Sequence, residues 1–126
     1  MSRILVSEDR KSIMMLINGD GKDISCAGKP MTFLTANTTD AAQEKHVPQV
    51  TVEGNKVIAK VGSVAHPMTE AHLIQWIFLQ TNRGGQYVYL TPTDKPEAEF
   101  VLADGEKAVA VYEYCNLHGL WKADIK

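Results

Sequence analysis

Hydrophobic and polar residues alternate along most of the chain, and this period of two predicts β-strands rather than helices. The clearest case is residues 49–62, QVTVEGNKVIAKVG, where apolar residues alternate on both sides of a turn at Gly54 and Asn55. Residues 98–114, AEFVLADGEKAVAVYEY, show the same pattern about Asp104 and Gly105. Two alternating runs joined by a short glycine-containing turn predict a β-hairpin, so we expect a hairpin in each segment.

Residues 71–81, AHLIQWIFLQT, are apolar enough to form either a helix or a strand. Their aromatic and β-branched residues favour a strand that is buried on both faces. Alternation then places one set on one face (His72, Ile74, Trp76 and Phe78) and a second set on the other (Leu73, Ile77 and Leu79). Strands at short spacing with turns between them predict an antiparallel β-sandwich.

The N-terminal part of the chain has a different pattern, with short apolar runs around an NGDG turn at residues 18–21. Residues 35–46, TANTTDAAQEKH, are small and polar, which indicates a linker with one helical turn at DAAQEK. We therefore expect an all-β protein, with a small β appendage at residues 1–36 and a β-sandwich domain at residues 37–126.

Composition narrows the class of protein. A chain of 126 residues with 44% hydrophobic and 22% charged residues has the profile of a globular domain. Its net charge of −2 argues against a general nucleic-acid binder. No apolar run approaches ~18 residues, and the N-terminus lacks the pattern of a signal peptide, so we expect a cytoplasmic protein.

The candidate chemistry lies in the four histidines and two cysteines. In the stretch EYCNLHGLW, Cys115 and His118 are three residues apart and precede Gly119. This pair is either a buried thiol beside a surface imidazole or part of a metal site, because thiolates and imidazoles are common metal ligands. The chain has no H-E-x-x-H, no C-x-x-C and no P-loop, and the spacing alone does not name a metal.

Four longer motifs resemble one known family. These are EKHVP (44–48), VGSVAHPMTEAHLIQWI (61–77), DKPEAEF (94–100) and YEYCNLHGLWK (112–122). Together they resemble the superoxide reductases, also called desulfoferrodoxins and neelaredoxins, over most of the chain. The resemblance implies a seven-stranded immunoglobulin-like β-sandwich with one mononuclear non-haem iron, which cycles between Fe²⁺ and Fe³⁺.

The resemblance also implies the ligands and the reaction. The equatorial iron ligands would be His46, His66, His72 and His118, and the axial ligand would be the thiolate of Cys115. His118 would bind through Nδ1 and the other three through Nε2. Independently of the resemblance, backbone N–H groups of Leu117 and His118 are positioned in the sequence to hydrogen-bond the sulfur and tune its donation to a metal. The activity implied is the one-electron reduction of superoxide to hydrogen peroxide.

Glu44 and Lys45 precede His46, and in the family a Glu and a Lys of this motif flank the open iron position. The resemblance implies that Glu44 closes onto the ferric iron when no substrate is bound. Lys45 would attract superoxide and order the water that protonates the peroxide. The alternative is a solvated ion pair on a linker, which would contribute little.

The N-terminal segment resembles a desulforedoxin-like domain that has lost its iron site. That domain holds a second iron on four cysteines, the last two of which are adjacent. Here SCAGKPM keeps Cys26 but has Ala27 in the next position, and SEDRKS contains no cysteine. We therefore expect a metal-free N-terminal segment in which Cys26 is a structural thiol, with a redox or intermolecular role as the alternative.

The resemblance implies superoxide as substrate, a rubredoxin-like electron donor and a homo-oligomer, with a dimer favoured. Other classes stay open at this stage: a cupredoxin-like electron-transfer protein with copper, a structural zinc protein, and an immunoglobulin-like binding module without chemistry. A cupredoxin site needs only about two His, one Cys and a weak axial ligand, so four candidate histidines count against it.

Overall fold

The computed structural model describes residues 3–125 and divides the chain between Ala36 and Asn37 into two compact units. The N-terminal unit has five short strands: β1 (Ile4–Val6), β2 (Ile13–Met15), β3 (Ser25–Cys26), β4 (Lys29–Pro30) and β5 (Thr32–Phe33). Strands β2, β1 and β5 form one antiparallel sheet in that order, and β3 pairs with β4. Strand β1 is fully buried, so the small core of this unit is built on it.

The second unit contains one helical turn and seven strands. These are α1 (Gln43–His46), β6 (Pro48–Glu53), β7 (Lys56–Val61), β8 (Ile74–Thr81), β9 (Gly84–Tyr89), β10 (Glu97–Val101), β11 (Ala108–Cys115) and β12 (Gly119–Asp124). Three strands form one sheet in the order β10-β7-β6, and four form the other in the order β12-β11-β8-β9. All pairs are antiparallel. The predicted all-β fold, with seven strands in two sheets, is confirmed.

The hairpin predicted at residues 49–62 is confirmed by strands β6 and β7. Glu53 pairs with Lys56 across the Gly54-Asn55 turn, and Gly54 has a φ of +61°, in the region where glycine is favoured. Val57 and Val61 alternate into the core with exposed fractions of 0% and 1%. The predicted helical turn is also present, as α1.

The hairpin predicted about Asp104 and Gly105 is wrong. A turn does exist there, because the N–H of Glu106 donates to the carbonyl of Ala103 at 3.0 Å and Gly105 has a φ of +79°. The strands on its two sides belong to different sheets, however, with β10 paired to β7 and β11 paired to β8 and β12. Alternation predicted both strands, but it carries no information about the partner that each strand selects.

The predicted strand at residues 71–81 begins later and has a different division of faces. Strand β8 starts at Ile74, so His72 lies in the loop before it. The pairing with β11 shifts register between Tyr114 and Cys115, and this bulge turns Ile74 into the core beside Ile77. The expectation that Ile74 shares a face with Trp76 is therefore wrong, because a bulge reverses the alternation at one residue.

Cys26 lies at the end of β3, where a two-residue turn leads into β4. Ala27 and Gly28 form that turn with φ values of +52° and +76°. The Cys26 side chain is half-buried and forms no disulfide. Over residues 3–125, no helix has the length and apolar character that would be needed to cross a membrane.

Candidate metal centre

All five candidate ligands lie where strands of the second unit begin or end. His46 ends α1 just before β6, His66 follows β7, and His72 precedes β8. Cys115 ends β11 and pairs with Gly119, so His118 lies in the three-residue turn between β11 and β12. Because β6–β7, β8–β11 and β11–β12 are antiparallel pairs, these starts and ends meet within their sheets. Loops on a rigid sheet are the usual location of functional side chains.

The structure brings one ligand atom from each of these five residues to within 4.8 Å of all the others. The Nε2 atom of His46 lies 3.2 Å from Nε2 of His66 and 3.1 Å from Nδ1 of His118. The sulfur of Cys115 lies 3.5 Å from Nε2 of His66 and 3.8 Å from Nδ1 of His118. Two nitrogen ligands that are about 2.1 Å from one metal and at right angles lie about 3 Å apart, so these separations fit one ion.

Hydrogen bonds to the backbone fix the tautomers of two of these rings. His46 Nδ1–H donates to the carbonyl of Ala42, and His66 Nδ1–H donates to the carbonyl of Pro67, both at 2.7 Å. Each Nε2 is then an unprotonated lone pair. Two such lone pairs face each other at 3.2 Å, which is repulsive unless a cation lies between them. This arrangement of donors therefore fits a bound metal, and backbone bonds of this kind orient metal-ligating histidines in general.

His72 completes the cluster in a different way. Its ring contacts those of His66 and His118, with centroid distances of 4.7 Å and 5.1 Å. Its Nε2 is buried and has no hydrogen-bond partner. A buried nitrogen without a partner is costly, and coordination to a metal would satisfy it.

Burial favours the neutral form of three of the clustered imidazoles. Removal from water lowers the pKa of His46 and His72 below the ordinary 6.5 and lowers the pKa of His66 to about 4. The backbone bonds of His46 and His66 oppose this shift, while neighbouring imidazoles and Lys45 add to it by charge repulsion. Neutral imidazole is the form that binds metals, so the site is prepared for an ion.

Burial acts on Cys115 in the opposite direction, because its charged form is the anion. Removal from water raises the pKa of the thiol, and Glu113 adds to the rise. Hydrogen bonds from the backbone N–H groups of Leu117 and His118 lower the pKa and partly offset that rise. A thiol that binds a metal gives up its proton to that metal, so this site takes up an ion with release of a proton.

Glu44 and Lys45 lie on α1 beside the cluster, and both side chains are exposed. Burial is the main cause of the lowered pKa of His46 and of His72, and the charge of Lys45 adds a smaller contribution in the same direction. The carboxylate of Glu44 is not among the clustered ligand atoms. Its backbone carbonyl instead accepts hydrogen bonds from the N–H of Val64 and the hydroxyl of Ser63.

Gly62 shapes this contact between loops, although no sequence pattern assigned it a role. It has a φ of +81°, and a Cβ there would lie 2.5 Å from the carbonyl oxygen of Val64 and 2.6 Å from that of Glu44. Its N–H donates to the carbonyl of Val47 at 3.2 Å. A glycine at the end of a strand was the available signal, because it marks a close backbone approach.

Two further residues contact the ligand-bearing loops: Trp121, which the sequence indicated as a core residue or one packed beside the site, and Asn116, which it did not single out. Trp121 stacks on His46 with ring centroids 4.9 Å apart, and its indole N–H donates to the carbonyl of His118 at 3.0 Å. Asn116 joins the turn after Cys115 to the loop that carries His72, through three hydrogen bonds. Both lie within the YEYCNLHGLWK motif, which was the signal that pointed to them.

Glu113 is a buried acid close to the site. Its side chain has an exposed fraction of 0%, and neither carboxylate oxygen has a hydrogen-bond partner. Burial raises its pKa well above the usual range. The group is therefore neutral over a wider pH range than an ordinary glutamate.

The fold and the site together define a class of protein, namely an antiparallel β-sandwich in which four imidazoles and one thiol come together as a candidate site for a single metal ion. The sequence profile of Desulfoferrodoxin matches residues 38–124, which span all seven strands of the second unit. The chain belongs to the desulfoferrodoxin family.

Individual relatives agree with this placement. The desulfoferrodoxin of Clostridium acetobutylicum is 48% identical over 122 residues, which cover 97% of this chain and 95% of the relative. The superoxide reductase of Pyrococcus abyssi is 32% identical over 109 residues, which cover 73% of this chain and 95% of the relative. Among solved structures, the superoxide reductase of Treponema pallidum superposes with a TM-score of 0.81 at 36% identity, covering 96% of this chain and 98% of that one.

Proposed function

We propose that this chain is a superoxide reductase that converts superoxide to hydrogen peroxide. The observation that carries the proposal is the convergence of four histidines and one cysteine within 4.8 Å, in a chain of the desulfoferrodoxin family. The ligands proposed are His46, His66, His72 and His118 through imidazole nitrogens, and Cys115 through its thiolate. The facing nitrogens support Nε2 of His46 and His66 and Nδ1 of His118 as the ligand atoms.

Bound ferrous iron would supply one electron to superoxide, and five protein donors would leave it one free coordination position. Superoxide also takes up two protons, and the product is hydrogen peroxide. Imidazole binds a metal in its neutral form and would add no charge, and the thiolate would cancel only one of the two charges of the ion. The residues therefore leave a local positive charge that attracts a small anion to a protein whose net charge is −2.

Lys45 and Glu44 are the proposed catalytic residues beside the centre. The Lys45 charge, which already acts on His46 and His72, would attract superoxide and hold the water that delivers a proton. Glu44 is the proposed carboxylate ligand of the oxidised, substrate-free form. In this structure it lies outside the ligand cluster, so this role requires its exposed side chain to change rotamer.

The other parts of the proposal concern the N-terminal unit and the partners. We infer that residues 1–36 are a degenerate desulforedoxin-like unit without a metal, because Cys26 is the one cysteine in that part of the sequence. A rubredoxin-like protein is the proposed electron donor, and a homodimer is the proposed assembly. Both cysteines are free thiols, which supports a reducing compartment such as the cytoplasm.

A copper electron-transfer function has less support. A blue-copper site uses two His, one Cys and a weak axial ligand. Here two further imidazoles reach the same point. The site has more strong donors than that function needs.

Metal analysis, optical spectroscopy and a superoxide assay test the proposal. We expect one iron per chain, a blue ferric form that bleaches on reduction, and consumption of superoxide with formation of peroxide. Cys115→Ser should remove the blue thiolate band and most of the activity, because an alcohol is a weaker and usually protonated donor. Zinc without colour in the purified protein, or full colour and turnover in Cys115→Ser, would contradict it. Two irons per chain would contradict only the proposal that the N-terminal unit is metal-free, and would leave the superoxide reductase proposal standing.

A further inference from the structure

We propose that Asn116 is a positioning residue for His72. Its side chain fastens the loop that carries this imidazole to the turn that carries Cys115 and His118. The inference rests on the proposed function, because it concerns how one of the proposed iron ligands is held in place.

The side chain of Asn116 bonds the His72 loop with both of its polar groups. Its Oδ1 accepts a hydrogen bond from the N–H of Leu73 at 3.0 Å, and its Nδ2 donates to the carbonyl of Ala71 at 2.9 Å. The backbone N–H of Asn116 adds a third bond, to the carbonyl of Leu73 at 3.3 Å. The two residues that flank His72 in the chain are therefore both bonded to Asn116.

These bonds are not those of an ordinary turn asparagine. Asn side chains in turns usually bond backbone groups about two residues further on. Asn116 bonds residues 43 and 45 positions away in the sequence. Its role is to join two segments, and each of them carries proposed ligands of the same metal centre.

His72 depends on such support more than its neighbours do. The rings of His46 and His66 are oriented directly, by Nδ1–H bonds to the carbonyls of Ala42 and Pro67. The hydrogen bonds of His72 instead involve its backbone, which exchanges bonds with Thr69 in a tight turn. Its Nε2 is buried without a partner. The position of this nitrogen is thus set by the backbone of its loop, and Asn116 determines where that loop lies.

The first experiment measures metal affinity rather than turnover. Metal-free protein is titrated with Co²⁺ in competition with a chelator, and the thiolate-to-cobalt absorption band is followed. Loss of the groups that orient a ligand typically weakens metal binding by about 10- to 100-fold. We expect Asn116→Ala to weaken Co²⁺ binding by about 10-fold or more. Unchanged affinity would overturn the assignment.

Asn37 offers a matched control. Its side chain also makes two hydrogen bonds to the backbone of a distant residue, accepting from the N–H of Lys122 at 2.9 Å and donating to its carbonyl at 3.2 Å. Lys122 is not a proposed ligand, and neither is any residue adjacent to it. Asn37→Ala should therefore lose stability as Asn116→Ala does, with Co²⁺ affinity within about twofold of the parent. An equal loss of affinity in both variants would show that Asn116 only stabilises the fold, and the positioning role for His72 would be wrong.

A double-mutant cycle separates His72 from the other ligands. If Asn116 acts through His72, then Asn116→Ala should change Co²⁺ affinity by less than about twofold in a His72→Ala background. If it acts through Cys115 or His118, its full effect should persist in that background, and the assignment to His72 is then wrong. The cobalt spectrum gives an independent readout, since Asn116→Ala and His72→Ala should shift its ligand-field bands in the same direction.

Asn116→Asp keeps the proposal testable if the alanine variant does not fold. The aspartate retains an acceptor for the N–H of Leu73 and loses the donor to Ala71. Its negative charge by itself would strengthen binding of a divalent cation, so weaker binding in this variant can only come from lost positioning. Because the charge can offset that loss, the decisive comparison is again with His72→Ala: an effect of Asn116→Asp on Co²⁺ affinity that is equally large in the parent and in the His72→Ala background would overturn the assignment. A parent protein without any thiolate–cobalt band would instead contradict the proposed function.

Discussion

At the scale of single residues, the hydrogen bond made by Nδ1 of His46 and of His66 decides that Nε2 of the same ring is free to bind a metal. His46 and His66 donate from Nδ1 to backbone carbonyls, and their Nε2 lone pairs then point into a shared space with the sulfur of Cys115. Burial lowers the pKa of both imidazoles and raises that of the thiol. All three shifts favour the uncharged forms, so without a metal these two imidazoles offer lone pairs that have no donor to satisfy them.

Substitutions of Lys45 and Glu44 test whether the charge of Lys45 attracts superoxide, with Glu44 as the control because it is the adjacent residue. Both are exposed residues on α1, and they carry opposite charges. Lys45→Ala should lower the second-order rate constant with superoxide by about 10-fold and weaken its dependence on ionic strength. Glu44→Ala should leave that first step nearly unchanged and alter the resting ferric spectrum instead.

Pulse radiolysis of both variants at two salt concentrations measures these rates. Iron content should stay at the parent level in both variants, because neither residue is needed to hold the ion. If Lys45→Ala reacts with superoxide as fast as the parent at low salt, the proposed attraction is wrong and the two residues are a solvated pair.

At the scale of elements, the candidate ligands are held by contacts between loops that come from different parts of the chain. The segment after β7 is bonded to α1 through Val64 and Ser63, which both donate to the carbonyl of Glu44. The turn after β11 is bonded to the loop before β8 through Asn116. Each loop thus gains its position from another loop, and the two sheets supply the fixed ends.

Gly62 is the point where this packing is tightest. In Gly62→Ala the new methyl group would clash with the carbonyl oxygens of Val64 and Glu44. We expect a loss of about 1–3 kcal/mol from this overpacking, in addition to the cost of a left-handed φ. The displaced α1 segment should also lower the rate with superoxide, because it carries Lys45.

Gly54→Ala provides the control for this substitution. Gly54 also has a positive φ, +61°, but a Cβ there meets nothing within 4 Å. Gly54→Ala should therefore lose only the unfolding free energy that a left-handed φ costs an alanine, and its rate constant with superoxide should be unchanged. Urea unfolding of the two variants compares their free energies, and equal losses would show that the contact with Glu44 and Val64 does not matter.

At the scale of the whole molecule, the buried titratable groups make stability depend on pH. The unfolded chain binds protons on its histidines near pH 6.5, whereas burial lowers the pKa of His66 in the folded metal-free protein to about 4. Between these values the unfolded state binds more protons, so the free energy of unfolding falls as the pH falls. The shift of His66 alone corresponds to about 3 kcal/mol, and the lowered pKa values of His46 and His72 act in the same direction.

Denaturant unfolding of the metal-free protein from pH 7 to pH 4 tests this linkage. His66→Gln should show a shallower fall in unfolding free energy than the parent over that range. Glu113 has a raised pKa and gives a slope of the opposite sign, but it contributes equally to both proteins. Parallel curves for the parent and the variant would contradict the assigned shift of His66.

The sequence by itself determined the local structure of this protein. Alternation is a local property, and it was sufficient for the β6–β7 hairpin and for the strand character of β10 and β11. The small, polar composition of residues 35–46 was sufficient for the helical turn α1. The motifs were sufficient to name five residues whose ligand atoms the structure brings together. That these residues bind iron, and that the N-terminal unit has lost its own iron, stay predictions.

The tertiary structure decided everything that depends on which distant segments meet. It paired β10 with β7 instead of β11 and turned Ile74 into the core through a bulge. It also gave roles to Gly62 and Asn116, whose contacts lie far away in the sequence or depend on a close backbone approach. The physical reason is that strand pairing and loop packing minimise the free energy of the whole chain, and the residues of one segment do not specify their partners.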